Sequence, residues 1–416
     1  MKVLVVGGGG REHALTWKII QSPKVTKVYC APGNAGTADI AENIDISDSD
    51  IPALLDFARN QEIGLTVVGP EGPLVNGIVD EFEQAGLRIF GPSAAAARLE
   101  GSKVFAKELL IKYGVPTAGY HRFSNPDSAR NFMQKNEIYP IVIKADGLAA
   151  GKGVLIINKL EEATKAIQAV MEDQVFGKAG EAIIIEEFLS GPELSMLCFV
   201  DNSSIVPMVS SKDYKRIGAG DTGLNTGGMG AISPNPLYDE ALEAYCMEHI
   251  LNPTVAAMKA EGRAFKGILY CGLILTAEGP KVLEYNVRFG DPETQVILPR
   301  LKTDLVDIFE AVIDDRLGEV EMAWDEQACS TVVLASKGYP ESYPKGLPIK
   351  HLESVTEAIV FHAGTKLAVP GIVTSGGRVL NVTALGENIG EALKRSYAGA
   401  SLIEFEGKTI RPDIGS

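Results

Sequence analysis

The chain has 416 residues, 45% of them hydrophobic, and a formal net charge of −15. That length exceeds one hydrophobic core and points to about three domains. The acidic balance excludes general nucleic-acid affinity, and no apolar run approaches the ~20 residues of a membrane span.

The N-terminal Met1-Lys-Val-Leu-Val-Val-Gly7 reads as a strand entering a glycine loop rather than as a signal peptide. Cysteines 30, 198, 246, 271 and 329 are scattered without a Cys-x-x-Cys pair, as expected of reduced core residues in a cytoplasmic protein. The first hundred residues alternate strand and helix signals. Strands are expected at Val3–Val6, Lys27–Ala31, Leu65–Val68 and Arg88–Phe90, with helices at Arg11–Ile20, Ile51–Asn60 and Pro73–Ala85. Such alternation implies a parallel sheet with its loops gathered at the strand carboxyl ends.

The loop Gly7-Gly-Gly-Gly10 invites a dinucleotide reading but fits it poorly. Aligning Gly8 and Gly10 with the first two fingerprint glycines puts His13 at the third, and the second strand ends in Ala31-Pro32 without an acid for a ribose hydroxyl. What survives is a helix N-terminus behind a glycine turn, either a sugar-phosphate site or a plain tight turn. Gly9, Gly10, Arg11, Glu12 and Asn34 are its candidate ligands, with Arg11 supplying charge and Glu12 accepting sugar hydroxyls.

Ser102 is the expected cap of a helix running to Tyr113, stopped by Gly114 and Pro116. Next comes Ile141-Val-Ile-Lys144, a strand running through Ala145-Asp-Gly-Leu-Ala-Ala-Gly-Lys-Gly153 into a second strand, Val154–Ile157. The spacing lacks the Ser/Thr of a Walker loop. A hairpin whose tip carries Gly147, Gly151 and Gly153 beside a strand-end lysine can instead lay backbone N–H groups over phosphates. A helix is expected at Leu160–Glu172. The strand Ala182–Glu186 then ends in Glu186-Glu187-Phe188-Leu189, with Glu193 beyond. This acid pair is either a solvated strand end or, beside the hairpin, an edge for adenine with an acid for ribose.

Ser211–Gly230 reads as a loop rich in glycine and charge. In Val282-Leu-Glu-Tyr-Asn-Val-Arg288, strand alternation puts Glu284, Asn286 and Arg288 on one face, suited to Mg²⁺ or Mn²⁺ and an oxyanion clamp. After Trp324 the pattern turns strand-rich: Cys329–Ala335, Ile359–Ala363 and Val379–Ala384, with one helix at Ile389–Ala400.

Lys103, Lys144 with its glycine loop, Glu186–Leu189, Glu193 and Glu284-x-Asn286 resemble the ATP-grasp superfamily in order and spacing. Within it, the chain resembles the phosphoribosylamine–glycine ligase family of purine biosynthesis. The matching stretches include Gly7-Gly-Gly-Gly-Arg-Glu-His-Ala14, Val68-Gly-Pro-Glu71, Leu99-Glu-Gly-Ser-Lys103, Asn225-Thr-Gly-Gly-Met-Gly-Ala231 and Asn286-x-Arg-Phe-Gly-Asp-Pro-Glu-Thr-Gln295.

The resemblance implies an α/β and α+β multidomain chain. A Rossmann-like domain would span 1–101, a split ATP-grasp module 102–323 with a mobile hairpin lobe at about 117–190, and a small C-terminal α+β domain 324–416. It implies ATP-dependent ligation of glycine to 5-phosphoribosylamine through glycyl phosphate; beside it stand the expectations of a cytoplasmic monomer that binds neither nucleic acid nor membrane. Lys103 and Lys144 would hold phosphates, Glu186–Leu189 adenine, Glu193 ribose, and Glu284 and Asn286 the metal. Asp213 and Arg288 would meet the amino acid, with Lys215, Gly227, Gly228, Gly290 and Asp291 completing the substrate region. The family reads His where this chain has Tyr214, and many relatives in the superfamily carry a metal carboxylate near Tyr270. The second departure suggests a metal shell completed by phosphates and water. The competing readings are another ATP-grasp ligase or carboxylase, and a nucleotide-sensing protein without turnover.

Overall fold

The computed structural model describes residues 1–148, 153–369 and 371–416. Five parallel strands open the chain: β1 (Lys2–Gly7), β2 (Lys27–Pro32), β3 (Glu42–Asn43), β4 (Leu65–Val68) and β5 (Ile89–Phe90), ordered β3-β2-β1-β4-β5. The order reverses beside β1, so a crevice forms where β1 and β4 deliver their carboxyl ends. Gly7, at φ +119°, turns the chain there into the helix Gly10–Ile19.

Helix boundaries follow the caps. Asp50 Oδ1 accepts from Ala53 N at 3.1 Å to start Ile51–Asn60. Ser102 Oγ accepts from Phe105 N at 3.1 Å to start Lys103–Lys112. The helix expected over Pro73–Ala85 is two, Glu71–Val75 and Ile78–Gln84, because Gly77 takes φ +92° and breaks the ladder between them. The stretch at Leu160–Glu172 is α-helical only to Ile167 and continues as a π turn over Gln168–Glu172. A helix at Ala94–Gly101, capped by Ser93, had no counterpart in the sequence reading.

Two antiparallel sheets follow. One is ordered Tyr120–Phe123, Ile183–Glu187, Ile141–Ala145, Val154–Ile157, and the other Ile205–Pro207, Glu193–Val200, Gly267–Thr276, Gly279–Asn286. They are joined where Val282 N donates to Pro116 O at 2.8 Å and Thr117 Oγ1 to Val282 O at 2.8 Å. The segment Ser211–Gly230, read as a loop, contains strands at Lys212–Asp213, Arg216–Gly218 and Thr222–Asn225. Lys212–Asp213 and Gly230–Ser233 extend a sheet completed by Ala328–Ala335, Arg378–Gly386 and Ile359–His362, on which the helix Ile389–Leu402 packs.

Several apolar clusters fill these parts, and one of them spans the first domain and the central sheet. Phe309 stacks on Phe90 at 4.1 Å between centroids and meets Phe289 edge-on at 6.2 Å, and Phe289 meets Phe199 at 6.0 Å. The aromatic column thus ties β5 to the Arg288-Phe-Gly-Asp segment. The five cysteines are free and buried. No helix among the described residues is long and apolar enough to cross a membrane.

The C-terminal sheet docks on the first domain through a histidine pair. His362 N donates to His13 Nδ1 at 2.8 Å, and Asn34 Nδ2 donates to His362 O at 2.8 Å. Burial, with the nearby His362, lowers His13 from 6.5 to about 3, and burial lowers His362 to about 4.

Two expectations follow. Phe309→Ala should cost about 3–5 kcal/mol, the loss for a fully buried aromatic, read as a lower denaturant midpoint. Both histidines are neutral when folded, whereas their unfolded forms take up protons below 6.5. Stability is therefore full above that pH and falls as pH drops toward the folded values. At pH 5, roughly 1.5 units below the unfolded value, each should cost about 2 kcal/mol. Denaturation at pH 7.5 and pH 5 checks this, and His13→Gln should flatten the difference.

Candidate active site

The site is a polar seam where the loops after β1 and β4, the two antiparallel sheets and the C-terminal sheet meet. One end of it is built on lysines. Lys144 closes its strand, with Nζ 2.9 Å from Glu186 Oε2 and donating to Leu283 O at 3.1 Å, so it bridges the two sheets. Lys107 lies 3.3 Å from the same carboxylate oxygen. The other oxygen, Glu186 Oε1, is buried without a hydrogen-bond partner among the described residues. Lys103 Nζ donates to Gly147 O at 2.9 Å, and burial lowers its pKa. Asp146 Oδ1 accepts from Ser102 Oγ at 3.0 Å and Val104 N at 3.1 Å, which seats the hairpin on the start of the Lys103 helix.

Gly147 has φ +141°, and a Cβ there would meet Ala179 at 2.9 Å, so the backbone passes close to a neighbouring turn. Gly153 O accepts from Ala145 N at 2.9 Å. Gly151 lies outside the described residues. Glu187, Phe188 and Leu189 follow at the strand end. Glu187 Oε1 accepts from Gly119 N at 2.9 Å, and the Phe188 ring is exposed. Glu193 opens the next strand and pairs with Lys215 Nζ at 3.0 Å, which lies 3.1 Å from Asp213 Oδ1. Burial alone would lower the Lys215 pKa, but Asp213 and Glu193 hold it well above its usual value.

The alternating face of Gly279–Asn286 is as expected. Glu284 is exposed and makes no hydrogen bond or ion pair among the described residues, whereas Asn286 Oδ1 accepts from Arg288 at 3.0 Å. Among the described residues no three His, Cys, Asp or Glu side chains cluster as a metal cage. One uncommitted carboxylate and one amide oxygen suit a hard cation that takes its other ligands from phosphates and water.

Arg288 gathers acceptors from several segments. Its Nε donates to Glu71 Oε2 at 3.1 Å, one terminal nitrogen reaches Phe289 O at 3.2 Å, and the other reaches Asn286 and, at 3.1 Å, Glu100 Oε1. Burial raises Glu71, yet Arg288 and Arg11 outweigh it and hold the carboxyl down at about 2. Burial wins at Glu100, pushed up to about 7 despite Arg288.

The N-terminal loop is organised from within. Glu12 Oε2 accepts from Gly9 N at 2.6 Å, and Oε1 accepts from Arg11 Nε at 2.6 Å. A Cβ on Gly69 would fall 2.0 Å from Glu12 Oε1, so the carboxylate fills the crevice between β1 and β4. Arg11 is buried and also donates to Phe289 O at 3.1 Å. Asn34 Nδ2 reaches Gly8 O at 3.0 Å. A Cβ on Gly10 would sit 2.5 Å from Asn381.

The C-terminal sheet supplies partners that sequence reasoning missed. Arg378 donates to Gly227 O and Asp291 O, both at 2.6 Å, and its guanidinium lies 3.3 Å from Asp291 Oδ2. Tyr339 Oη accepts from Gly227 N at 2.9 Å. Gly228 (φ +109°) has no room for a Cβ, which would fall 2.4 Å from Pro292. Glu71, Glu100, Glu293 and Gln295 lie inside the motif stretches without having been singled out. Arg378 and Tyr339 lie in no motif.

Comparison with known proteins identifies the family. Residues 1–100, 101–294 and 329–416 match the N domain, the ATP-grasp (A) domain and the C domain of phosphoribosylglycinamide synthetase. The phosphoribosylamine–glycine ligase of Caldanaerobacter subterraneus is 51% identical over 416 residues, covering all of both chains. That of Escherichia coli is 52% identical over 421 residues, covering 100% of this chain and 98% of the relative. The crystal structure of phosphoribosylamine–glycine ligase from Thermotoga maritima superposes with a TM-score of 0.85 at 34% identity, covering all of both chains. The biotin carboxylase domain of Hydrogenobacter thermophilus 2-oxoglutarate carboxylase shares the fold at a TM-score of 0.77 and 16% identity, over 98% of this chain and 91% of that one. With three consecutive domain matches and full-length relatives at half identity, this chain belongs to the phosphoribosylglycinamide synthetase family of ATP-grasp ligases.

Proposed function

We propose that the chain joins glycine to 5-phosphoribosylamine at the expense of ATP, giving 5′-phosphoribosylglycinamide, ADP and phosphate. ATP would phosphorylate the glycine carboxylate, and the amine would displace phosphate from the glycyl phosphate. The observation that carries the reading is the seam itself. Lys144 Nζ holds Glu186 and also reaches Leu283 O on the strand that carries Glu284 and Asn286, Lys215 joins Glu193 to Asp213, and Arg288 gathers Glu71, Glu100 and Asn286.

In this reading Lys103 and Lys144 hold the α and β phosphates, with the glycines Gly147, Gly151 and Gly153 as further ATP ligands. The strand end Glu186–Leu189 takes adenine, whose exocyclic amino group suits the unpaired Glu186 Oε1, and Glu193 takes ribose. Glu284 and Asn286 hold Mg²⁺ or Mn²⁺, which when bound neutralises phosphate charge. Asp213 and Lys215 face the amino acid. Arg288 makes three hydrogen bonds and an ion pair with Glu100, which leaves guanidinium N–H capacity for a carboxylate oxygen. Gly227, Gly228, Gly290 and Asp291 frame the transferring phosphoryl group. Gly9, Gly10, Arg11, Glu12 and Asn34 shape the sugar-phosphate crevice, mainly with backbone N–H groups, because the Arg11 and Glu12 side chains bond each other.

Segments 1–101, 102–323 and 324–416 act as the three units, with 117–190 as the lobe over the nucleotide. One chain carries every residue invoked, so a monomer suffices. Buried free cysteines suit the cytoplasm.

Mixing the protein with ATP, Mg²⁺, glycine and freshly made phosphoribosylamine should yield phosphoribosylglycinamide, and omitting either glycine or the amine should abolish it. Nucleotide binding without ADP release would sink the ligase reading; turnover with a different carboxylate or amine would replace the substrates. Glu284→Gln should lower turnover about a hundredfold, or ~2.7 kcal/mol of barrier. Its melting temperature should stay put, since Glu284 makes no hydrogen bond or ion pair among the described residues. Near-normal turnover at low Mg²⁺ would remove it from the metal.

A further inference from the structure

We propose that Glu293 accepts the proton released when the amine attacks the acyl phosphate. This rests on the ligase reading above. Amide formation needs such an acceptor: the nitrogen lone pair forms the C–N bond, the C–O bond breaks with its electron pair leaving on phosphate, and one N–H proton must depart. Here it passes to the Glu293 carboxylate and then to solvent.

Glu293 is 3% exposed and sits at the start of the short helix Thr294–Ile297. Its Oε1 accepts from Tyr270 Oη at 2.9 Å, and Tyr270 Oη lies 2.7 Å from Ser195 Oγ, so the carboxylate is oriented by a chain of hydroxyls. A Cβ on Gly290 would fall 2.3 Å from Oε2, which shows the second oxygen lying against the backbone of a candidate substrate residue. No other residue among those described donates a hydrogen bond to Oε2. The charged groups around it are Asp213 and Lys215 from the strand region after Ser211, Arg288 from the motif segment, and Arg378 from the C-terminal sheet.

The neighbouring carboxylates are poorer acceptors. Asp213 is paired with Lys215, and Glu71 is held at about 2. Glu100 titrates near 7, but its Oε1 lies on Arg288 and its Oε2 accepts from Val287 N at 2.7 Å. Glu293 is pushed up to about 7, first by burial and then by Asp213, while keeping one oxygen without a side-chain partner. A base near operating pH combines availability with driving force.

Two assays separate the half-reactions. With β,γ-bridge ¹⁸O-labelled ATP and glycine but no amine, acyl phosphate formation appears as positional isotope scrambling. Glu293→Gln, which keeps an acceptor for Tyr270, should scramble within about threefold of the parent. Its ligation rate should fall a hundredfold or more, and the acid limb of its kcat/KM profile for phosphoribosylamine should disappear. Equal loss of both half-reactions, or ligation preserved, overturns the proposal. A parent protein that neither scrambles nor ligates overturns the ligase reading instead. Tyr270→Phe gives an independent test should Glu293→Gln fail to fold. Removing the donated hydrogen bond destabilises the carboxylate, so the acid limb should move to higher pH, and an unmoved limb overturns the proposal.

Discussion

The joint at the centre of this molecule depends on drawing one guanidinium largely out of water, the Arg288 side chain keeping 17% of its surface exposed. Arg288 can leave water only if its N–H groups find acceptors, and it finds them on separate pieces of chain: Glu71 beyond β4, Glu100 at the end of the Ala94–Gly101 helix, Asn286 on its own strand, and the Phe289 carbonyl. Breaking a buried ion pair by removing one partner typically costs about 3–5 kcal/mol. The first domain and the central sheet therefore meet in one relative position, with Glu100 also accepting from Val287 N. The aromatic column through Phe289 supplies the apolar half of the same joint.

The carboxylates around that charge are sorted by environment rather than by residue type. Glu71 is held low by Arg288 and Arg11 despite burial, whereas burial prevails at Glu100 and Glu293, both raised to about 7. A site that must bind anionic phosphates and a carboxylate beside an amine gains from this division. Some carboxylates stay charged as fixed partners of the arginines, and others can change charge near neutral pH.

Legibility in the sequence followed the range of the interaction. Strand alternation over Glu284, Asn286 and Arg288 is a local geometric rule, and the side chains point as it requires. The strand-end position of Lys144 and the caps of Ser102 and Asp50 are local too. Gly77, at φ +92°, was local but ambiguous, because a glycine inside an apolar periodic stretch does not announce its backbone conformation. The first short strand within 211–230 was hidden for another reason. Lys212–Asp213 is held by pairing with Gly230–Ser233, and that strand by Ala328–Ala335, about a hundred residues downstream. The contribution of Arg378 was least visible of all, a single arginine in an ordinary strand whose meaning lies in the Gly227 and Asp291 carbonyls it reaches.

That arginine also explains why the C-terminal segment belongs to the site rather than merely covering it. A Cβ on Gly227 would fall 2.9 Å from Arg378 Cζ, so the glycine brings its backbone against the guanidinium. Tyr339 takes the Gly227 N–H from the same side. The Gly227–Gly228 backbone, the Asp291 carboxylate and the docking histidines His13 and His362 are thus fixed by one sheet. Loop glycines lose more conformational freedom on ordering than other residues. Holding them from a packed β-sheet removes that freedom before any substrate arrives, which is the preorganisation that the proposed phosphoryl-transfer role of this backbone needs.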